Sequence, residues 1–167
     1  MLKKILNNFL FLFLILFQQH SFALEIKGYP RIIDGDSIEI NKRKIRLFGI
    51  DAPEIKQVCK KPFLTISFFA FQKDYKCGLL AKNELKKFLQ EKEIICISEK
   101  KDKYKRYLSI CYLQKKDINA WLVKNGYALA YERYSKKYIF EQEYAKNNKL
   151  GIWKGTFLSP EKWRKNK

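Results

Sequence analysis

The sequence predicts an α+β, mainly β fold: a five-stranded Greek-key barrel of the OB type with three helices. Three observations lead to this prediction. Short segments with strand-like alternation are separated by tight turn signals, one amphipathic helical segment follows the third strand, and two further strands flank a charged turn. The resulting order, β-β-β-α-β-β-α-α, fits a small barrel of this type.

The first three strands are predicted from alternation and from turns. Residues 25–33 form the first strand, which ends at the turn signal Asp34-Gly35. Residues 37–40 alternate as a half-buried strand does. The chain turns at residues 41–43, and residues 44–50 form the third strand. We expect these three strands to form a meander.

The next segment, residues 55–76, is harder to assign. It holds the aromatic run Phe68-Phe69-Ala70-Phe71 between two cysteines. We interpret it as a packed loop or a short helix that a disulfide between Cys59 and Cys77 ties down. A first helix is predicted from residue 78 to residue 90, because its apolar residues share one helical face. These residues are Leu80, Ala81, Leu85, Phe88 and Leu89.

Two strands and two helices complete the predicted order. Residues 93–98 and 107–113 are strands joined by the charged turn 99–106. Asp117 caps a short helix that ends at Asn125-Gly126, where Gly126 is the expected left-handed terminator.

The last predicted helix and the tail follow. The helix starts near Ser135 and runs to about residue 148. Residues 151–167 form a tail with two tryptophans, Trp153 and Trp163, and we expect this tail to wrap the core.

Residues 1–23 have the pattern of a secretory signal peptide. Two lysines precede the apolar stretch 9–17, and Ser21-Phe22-Ala23 is a small-x-small cleavage site. An uncleaved membrane anchor is the alternative, but the apolar run is shorter than the ~20 residues that a span needs. We therefore expect cleavage near Ala23, a secreted or periplasmic protein, and a single domain with a C-terminal tail over residues 24–167.

Charge and composition restrict the chemistry. The chain has 35 Lys+Arg against 17 Asp+Glu, a formal net charge of +18, which favours binding to nucleic acid or another polyanion. A solvated lysine-rich surface would carry the same charge. The one histidine, His20, lies in the leader. Histidine triads, histidine general bases and histidine-ligated zinc are therefore excluded from the mature chain.

The four cysteines all follow the predicted cleavage site, so disulfides are expected in an oxidising compartment. Four cysteines allow three pairings. We favour Cys96–Cys111, because the two lie symmetrically about the middle of a predicted hairpin, together with Cys59–Cys77. A tetrahedral zinc site is the alternative, although no close C-x-x-C pair is present.

Two acidic clusters with an arginine between them carry the strongest chemical signal. They are Asp34-Gly35-Asp36 and Asp51-Ala52-Pro53-Glu54, and Arg46 lies between them. Each motif alone is more often a turn or a loop. Together, several carboxylates and one permanent cation provide what a metal-assisted attack on a phosphodiester needs, and the basic remainder of the chain suits a polyanionic substrate.

In combination, these motifs resemble the thermonuclease family, the staphylococcal-nuclease-like proteins, and in particular its secreted bacterial members. Four segments carry the resemblance in the expected order over nearly the whole mature chain: Ile33-Asp34-Gly35-Asp36-Ser37-Ile38, Ile45-Arg46-Leu47-Phe48-Gly49-Ile50-Asp51-Ala52-Pro53-Glu54, Asp102-Lys103-Tyr104-Lys105-Arg106 and Leu122-Val123-Lys124-Asn125-Gly126-Tyr127-Ala128. The final stretch, residues 131–153, is similar to tail-extended members.

The resemblance implies an OB-fold nuclease that acts on DNA and RNA and depends on Ca²⁺. By position, Asp36 and Asp51 match the metal-binding carboxylates of the family, and the backbone carbonyl of Ala52 matches a third ligand. Glu54 matches the glutamate that activates or positions the attacking water. Hard oxygen ligands of this kind suit calcium.

The resemblance also implies residues that contact the substrate. Arg46 and Arg106 match the two arginines that bind the phosphate. Lys103 and Tyr104 match residues beside the bound nucleotide, and Tyr131 matches a tyrosine of the nucleotide pocket. No obligate protein partner is expected, and we expect a monomer.

The sequence departs from the family pattern at two places. Lys105 stands where the family often has glycine, so a positive φ there would cost of order 1 kcal/mol. Residues 55–77 are longer than in the best-known members and carry a cysteine.

Two alternatives to a nuclease remain from the sequence. The chain could be a non-catalytic OB-fold module that binds single-stranded nucleic acid through a basic groove and aromatic side chains. It could also bind an anionic membrane surface, which explains the charge but not the acidic clusters.

Overall fold

The computed structural model describes residues 23–67 and 69–166, without the side chain of Thr65. The predicted leader and its cleavage site therefore lie almost entirely outside the described residues. Among the residues that are described, no helix has the length and apolar character needed to cross a membrane.

The described chain is mainly β with several helices. Its strands are β1 (Leu24–Gly28), β2 (Arg31–Ile32), β3 (Ser37–Ile40), β4 (Arg43–Leu47), β5 (Ile50–Asp51), β6 (Val58–Ile66), β7 (Phe69–Lys76), β8 (Ile94–Lys101), β9 (Tyr107–Leu113), β10 (Lys116–Asp117) and β11 (Leu129–Ala130). Its α-helices are α1 (Cys77–Leu89), α2 (Ile118–Lys124), α3 (Ile139–Asn147) and α4 (Pro160–Lys165), and a 3-10 helix spans Gly151–Lys154.

One large sheet forms the barrel. Its strand order is β1-β8-β9-β4-β3-β2, with β10 added to β9. Strands β4 and β9 run parallel, whereas β1–β8, β8–β9 and β3–β4 are antiparallel. The sheet curls until β1 meets the end of β3: a Cβ on Gly28 would lie 2.8 Å from Ile40 Cγ2, and Asn41 Nδ2 donates to the Lys27 carbonyl at 3.2 Å. The predicted fold class, a mainly β OB-type barrel with helices, is confirmed.

The barrel interior is filled by aliphatic side chains that alternate along the strands. Ile38, Ile40, Ile45 and Leu47 of β3 and β4 are fully buried. Helix α1 covers the interior with Leu85 and Leu89, and α2 contributes Leu122. Burial of each such side chain stabilises the fold by about 1.5–3 kcal/mol.

Both expected disulfide pairs are present in the structure. Cys96 of β8 and Cys111 of β9 are direct cross-strand partners with a Cα–Cα distance of 4.0 Å. Cys59 of β6 and Cys77 at the start of α1 have a Cα–Cα distance of 5.6 Å. The second pair lies in a small separate core with Ile152 of the 3-10 helix.

The predicted first and third strands are each interrupted. Pro30 has no N–H to donate, so the first strand divides into β1 and β2. Gly49 has φ +75°, which ends β4 and starts the short β5, and β5 pairs with β11 rather than with the main sheet.

The prediction for residues 55–76 is wrong. The segment forms an antiparallel hairpin of β6 and β7 with an irregularity between Pro62 and Leu64. Its aromatic residues do not pack: Phe69 is 74% and Phe71 48% exposed. Aromatic and β-branched residues favour strands, and the hairpin base is closed by the Cys59–Cys77 disulfide.

The tail adds one helix to the three that the sequence predicts. Ser159 caps α4 by accepting from Lys162 N–H at 3.3 Å, and Pro160 occupies its first turn. The preceding residue, Leu158, accepts from the buried Gln57 side chain at 2.7 Å. This contact holds the start of α4 against the loop that follows β5.

Candidate active site

The β3–β4 hairpin places the first acidic cluster beside the second. Asp34 Oδ1 accepts from the Asp36 N–H at 3.0 Å, an Asx turn that directs the chain into β3. Gly35 allows a close approach, because a Cβ there would lie 2.7 Å from the Ala52 Cβ. The Ala52 N–H donates to Asp36 Oδ2 at 2.7 Å, which joins the two clusters.

Asp36, Asp51 and Arg46 form one buried network. Both carboxylates are only 3% exposed as residues. The Arg46 guanidinium forms ion pairs with Asp36 through Nη1 and with Asp51 through Nη2, the latter at 3.0 Å, and Nη2 also donates to the Ile50 carbonyl at 3.3 Å. Ser37 Oγ donates to Asp36 Oδ1 at 3.2 Å. A shared cation therefore offsets the mutual repulsion of two neighbouring carboxylates.

The pKa values of two ionisable groups in this region, Arg46 and Asp34, are shifted from their ordinary values. Burial lowers the pKa of Arg46, the Asp51 charge opposes that shift, and the Arg106 charge adds to it. Burial raises the pKa of Asp34, which the charges of Arg46 and Arg106 partly offset. The geometry agrees, because Arg46 of β4 is opposite Leu108 of the neighbouring β9, two residues after Arg106. Perturbed pKa values of this kind cluster at functional sites.

Glu54 lies at the mouth of this network, on a loop whose backbone is closely packed. A Cβ on Gly78, at the start of α1, would lie 1.8 Å from the Glu54 carbonyl oxygen. The Gln57 side chain accepts from the Glu54 N–H at 3.2 Å. The Glu54 side chain is about one third exposed, so it is reached by solvent while its backbone is fixed.

Arg106 is held by Asp102 across the β8–β9 turn. Arg106 Nε and Nη2 donate to Asp102 Oδ2 at 2.8 and 2.7 Å, and Arg106 N–H donates to Asp102 Oδ1 at 2.9 Å. Burial raises the pKa of Asp102, but these bonds, the Arg106 charge and the Tyr104 N–H outweigh it and hold the pKa below its ordinary value. Asp102 is a positioning residue that the sequence analysis treated only as part of a motif.

The three predicted nucleotide contacts occupy two places. Tyr104 is 66% exposed at the β8–β9 turn, with Lys103 Nζ and the Arg106 guanidinium near its ring at 5.0 and 5.4 Å. Tyr131 lies beyond β11, where its N–H donates to the Gly49 carbonyl at 2.9 Å. Burial raises the pKa of Tyr131, and the charges of Glu161 and Asp51 raise it further.

The sequence analysis missed Arg164 of α4, which enters the same site. Arg164 Nη1 and Nη2 donate to Asp51 Oδ1 and Oδ2, each at 3.0 Å, and Nη1 also donates to Glu54 Oε1 at 3.0 Å. Burial lowers the pKa of Arg164, but its bonds to Asp51 and Glu54 outweigh burial and raise it above its ordinary value. Arg164 follows Asp51 by 113 residues, so no local signal in the sequence pairs them.

The donor set of the site fits a hard divalent cation. Asp36, Asp51, Glu54 and the backbone of Ala52 provide oxygen donors only, which calcium prefers. Within the described residues, no group of three or more Asp, Glu, His or Cys side chains is arranged as a ready metal site. A hard cation held here would take only some of its ligands from these residues and complete its shell with water.

Comparison with known proteins identifies relatives. A family model described as "Staphylococcal nuclease homologue" matches residues 44–155, which include Arg46, Asp51, Glu54 and Arg106 but end before α4. A Rhizobium meliloti protein named "Succinoglycan biosynthesis protein ExoI" is 34% identical over 135 residues, which cover 79% of this chain and 66% of that protein, just under two thirds of its length.

Two further relatives are covered over more of their length. A Haemophilus influenzae protein named "Uncharacterized endonuclease" is 34% identical over 143 residues, which cover 81% of this chain and 70% of that protein. The "Micrococcal nuclease" of Shigella flexneri is 31% identical over 154 residues, which cover 81% of this chain and 78% of that protein.

Proposed function

The chain belongs to the staphylococcal nuclease family, and on that premise we propose that it is a nuclease. It hydrolyses phosphodiester bonds of DNA and RNA with little sequence specificity and depends on Ca²⁺. The observation that carries this proposal is the contact of two buried carboxylates, Asp36 and Asp51, with one arginine, Arg46, near Glu54, whose side chain is about one third exposed. The net charge of +18 attracts the polyanionic substrate.

Arg46 and Arg106 are proposed to bind the non-bridging oxygens of the scissile phosphate. Negative charge increases on these oxygens as the attacking water adds to phosphorus, and a planar guanidinium donates two parallel hydrogen bonds to them. Each arginine is fixed before substrate arrives, Arg46 by Asp51 and Arg106 by Asp102. A guanidinium that is already positioned at the site loses little orientational freedom when it contacts the phosphate, and such a contact stabilises the transition state by about 3–4 kcal/mol.

Glu54 is proposed as the general base. Its carboxylate accepts the proton of the attacking water, and its backbone is held by the close contact with Gly78 and the bond to Gln57. With no histidine after the predicted cleavage site, a carboxylate is the base that the chain offers for this step.

A divalent cation would be held by Asp36, Asp51 and the Ala52 carbonyl. When bound, it supplies positive charge beside the phosphate, which lowers the barrier without a proton transfer. We expect Mg²⁺ to bind without supporting full activity, because it requires stricter octahedral geometry than calcium does.

The remaining residues contact the nucleotide. Tyr104 offers an aromatic ring beside Arg106, Tyr131 offers a second ring just after β11, and Lys103 adds a charge at the β8–β9 turn. Base–aromatic stacking tolerates any sequence, which agrees with low specificity. Two disulfides and the predicted leader support action in the periplasm or outside the cell.

The test is plasmid degradation by the protein with Ca²⁺, with a chelator, and by the variant Glu54→Gln. We expect cleavage with Ca²⁺ only, and at least a hundredfold lower rate in Glu54→Gln, because the general base is lost. Glu143→Gln, on the exposed face of α3, removes the same charge away from the site and should cleave normally.

Binding of nucleic acid without cleavage in every reaction would overturn the proposal. That result would favour a non-catalytic module that binds single strands.

A further inference from the structure

Arg164 occupies the carboxylates that the proposed function assigns to the cation. Its guanidinium engages both oxygens of Asp51 in a bidentate pair and one oxygen of Glu54, all at 3.0 Å. Asp51 Oδ1 also accepts from Arg46 Nη2 at 3.0 Å. Two guanidinium groups therefore already neutralise Asp51 in this arrangement.

A divalent cation cannot join Asp51 without a change at Arg164. Calcium binds carboxylate oxygens at about 2.3–2.6 Å, which would put it within about 4–5 Å of a guanidinium that remained in place. At that distance two positive charges repel each other strongly in a partly buried site. Cation binding therefore requires that Asp51 lose one of its two guanidinium partners, and Arg164 is the one that can leave, because its side chain is 36% exposed and that of Arg46 only 15%.

The exposure of the Arg164 side chain allows this release, since it is about one third exposed near the end of the described chain. Contacts of α4 with the rest of the protein include the bond from Gln57 to Leu158, just before the helix, and an ion pair between Glu161 and Arg133 at 3.7 Å. The release is therefore a movement of the Arg164 side chain and does not require the helix to detach. The family match ends at residue 155, so α4 belongs to the part of this chain that the match does not include.

We propose that Arg164 is an internal counter-ion of the cation site, and that it competes with the divalent cation for Asp51 and Glu54. This inference rests on the proposed function. In the absence of the cation, Arg164 keeps the carboxylates of Asp51 and Glu54 paired with a positive charge. A sufficient concentration of the cation displaces the guanidinium and so sets the threshold for activity.

The first test is calcium binding by isothermal titration calorimetry, without nucleic acid. Arg164→Gln should bind Ca²⁺ about tenfold more tightly than the unmodified chain. This factor corresponds to about one molecule in ten of the unmodified chain having Asp51 free of Arg164 and able to bind the cation. Arg164→Lys keeps the charge but lacks the planar fork, so it should fall between the two. Lys162→Gln removes one charge from the same helix and serves as the matched control, with unchanged affinity.

Thermal unfolding gives a second readout. In chelator, Arg164→Gln should melt at a lower temperature than the control variant, because Asp51 and Glu54 lose a shared counter-ion. Added Ca²⁺ should raise its melting temperature by more than it raises that of the unmodified chain, since a tighter ligand stabilises more.

Unchanged or weaker calcium binding by Arg164→Gln would overturn the inference. If cleavage were lost at the same time, Arg164 would be a positioning residue for Asp51 and Glu54 instead. Tighter calcium binding in the variant, with no cleavage by either protein, would support the counter-ion role and overturn the nuclease proposal, so the two failures are distinguishable.

A second inference rests on the β6–β7 hairpin. From Pro62 to Gln72 the sequence has no charged residue, and the described apolar side chains of this end are exposed rather than packed. These side chains are Phe63, Leu64, Ile66, Phe69 and Phe71. The base of the hairpin carries lysines instead, and they are Lys60, Lys61, Lys73 and Lys76.

The hairpin is anchored firmly at its base. The Cys59–Cys77 disulfide joins β6 to α1, Lys60 N–H donates to the Thr156 carbonyl at 2.9 Å, and a Cβ on Gly155 would lie 2.0 Å from the Lys60 carbonyl oxygen. The apolar end is therefore presented by a rigid base.

We infer that this hairpin docks the protein on an anionic phospholipid surface. The apolar end enters the boundary between headgroups and acyl chains, and the lysines at the base contact the lipid phosphates. Nucleic acid fits the hairpin less well, because Leu64 and Ile66 offer no ring for stacking and no cation lies among the apolar residues.

Vesicle co-sedimentation tests this inference. The protein should bind vesicles that contain phosphatidylglycerol and not vesicles of phosphatidylcholine alone. Phe69→Ser combined with Phe71→Ser should weaken that binding at least tenfold, whereas Phe140→Ser, which alters an exposed phenylalanine of α3, should not. If the double variant bound vesicles as well as the unmodified chain, the inference would be overturned. It would also be overturned if the double variant bound single-stranded DNA more weakly but still bound vesicles normally.

Discussion

At the residue scale, the site depends on side chains fixed by a partner before any substrate binds. Arg46 is fixed by Asp51 and Asp36, and Arg106 by Asp102. The two arginines differ in depth, because Arg46 is about half as exposed as Arg106. Arg106 is therefore the better candidate for a variant that leaves the fold intact.

Arg106→Lys tests the guanidinium fork. We expect loss of most of the cleavage rate, a few hundredfold, because an ammonium group does not form the bidentate contact that the developing charge requires. DNA binding should persist, since one positive charge is retained. The measurement is the single-turnover cleavage rate alongside binding in the presence of chelator, and a full cleavage rate would remove Arg106 from the mechanism.

Lys105 has φ +62° in the β8–β9 turn, a conformation that L residues rarely adopt. Lys105→Gly should therefore stabilise the protein by about 0.5–1 kcal/mol, as measured by urea unfolding. Lys105→Ala removes the same charge but keeps a Cβ, so it should gain no stability. Equal stability of both variants would show that the charge, and not the backbone, determines the effect.

At the scale of elements, α1 and the loop after β5 act together. The first turn of α1 packs so closely on the Glu54 backbone that only glycine fits at residue 78. The positions of α1 and of Glu54, the proposed general base, are therefore coupled, although Gly78 contributes no side chain to the site.

Gly78→Ala tests that coupling. A Cβ at 1.8 Å from the Glu54 carbonyl oxygen forces the loop or the helix to move, so we expect loss of about 2–3 kcal/mol of stability and a lower kcat. Lys86→Gly, at an exposed position further along α1, serves as the control, because it costs up to about 1 kcal/mol in helix propensity without adding volume near Glu54. A normal kcat in Gly78→Ala would show that Glu54 does not depend on this contact.

At the scale of the whole molecule, a basic surface surrounds a small acidic site. The net charge of +18 attracts nucleic acid from a distance, and the carboxylates concentrate negative charge at one place. Substrate binding should therefore depend steeply on ionic strength.

With about four phosphate contacts, affinity for DNA should fall about a hundredfold between 50 and 200 mM salt. Lys103→Gln should lower the slope of log K against log salt by about one. Lys87→Gln, near the far end of α1 from Gly78, should leave that slope unchanged. A slope near zero for the unmodified chain would contradict an electrostatic mode of binding.

Local signals determined much of the fold. The alternation of residues 37–40 and 107–113 predicts β3 and β9, the Asp117 cap and Gly126 predict both ends of α2, and Asp117 Oδ1 does accept from the Ala120 N–H at 2.9 Å. Such signals are readable because capping, turn geometry and strand alternation depend on a few neighbouring residues. The two acidic motifs could be predicted to act together for the same reason, because the short spacing between them is that of a single hairpin.

Features that depend on contacts between residues distant in the sequence could be seen only in the tertiary structure. The β6–β7 hairpin was predicted as a packed segment because its aromatic residues resemble core residues, and only the fold shows that nothing in the described chain covers them. Arg164 is positioned at the site by the hydrogen bond from the Gln57 side chain to the Leu158 carbonyl and by the short helix α4 that follows. Ion pairs between residues more than a hundred positions apart leave no pattern in the chain, because their energy depends on distance in space and not on separation in sequence.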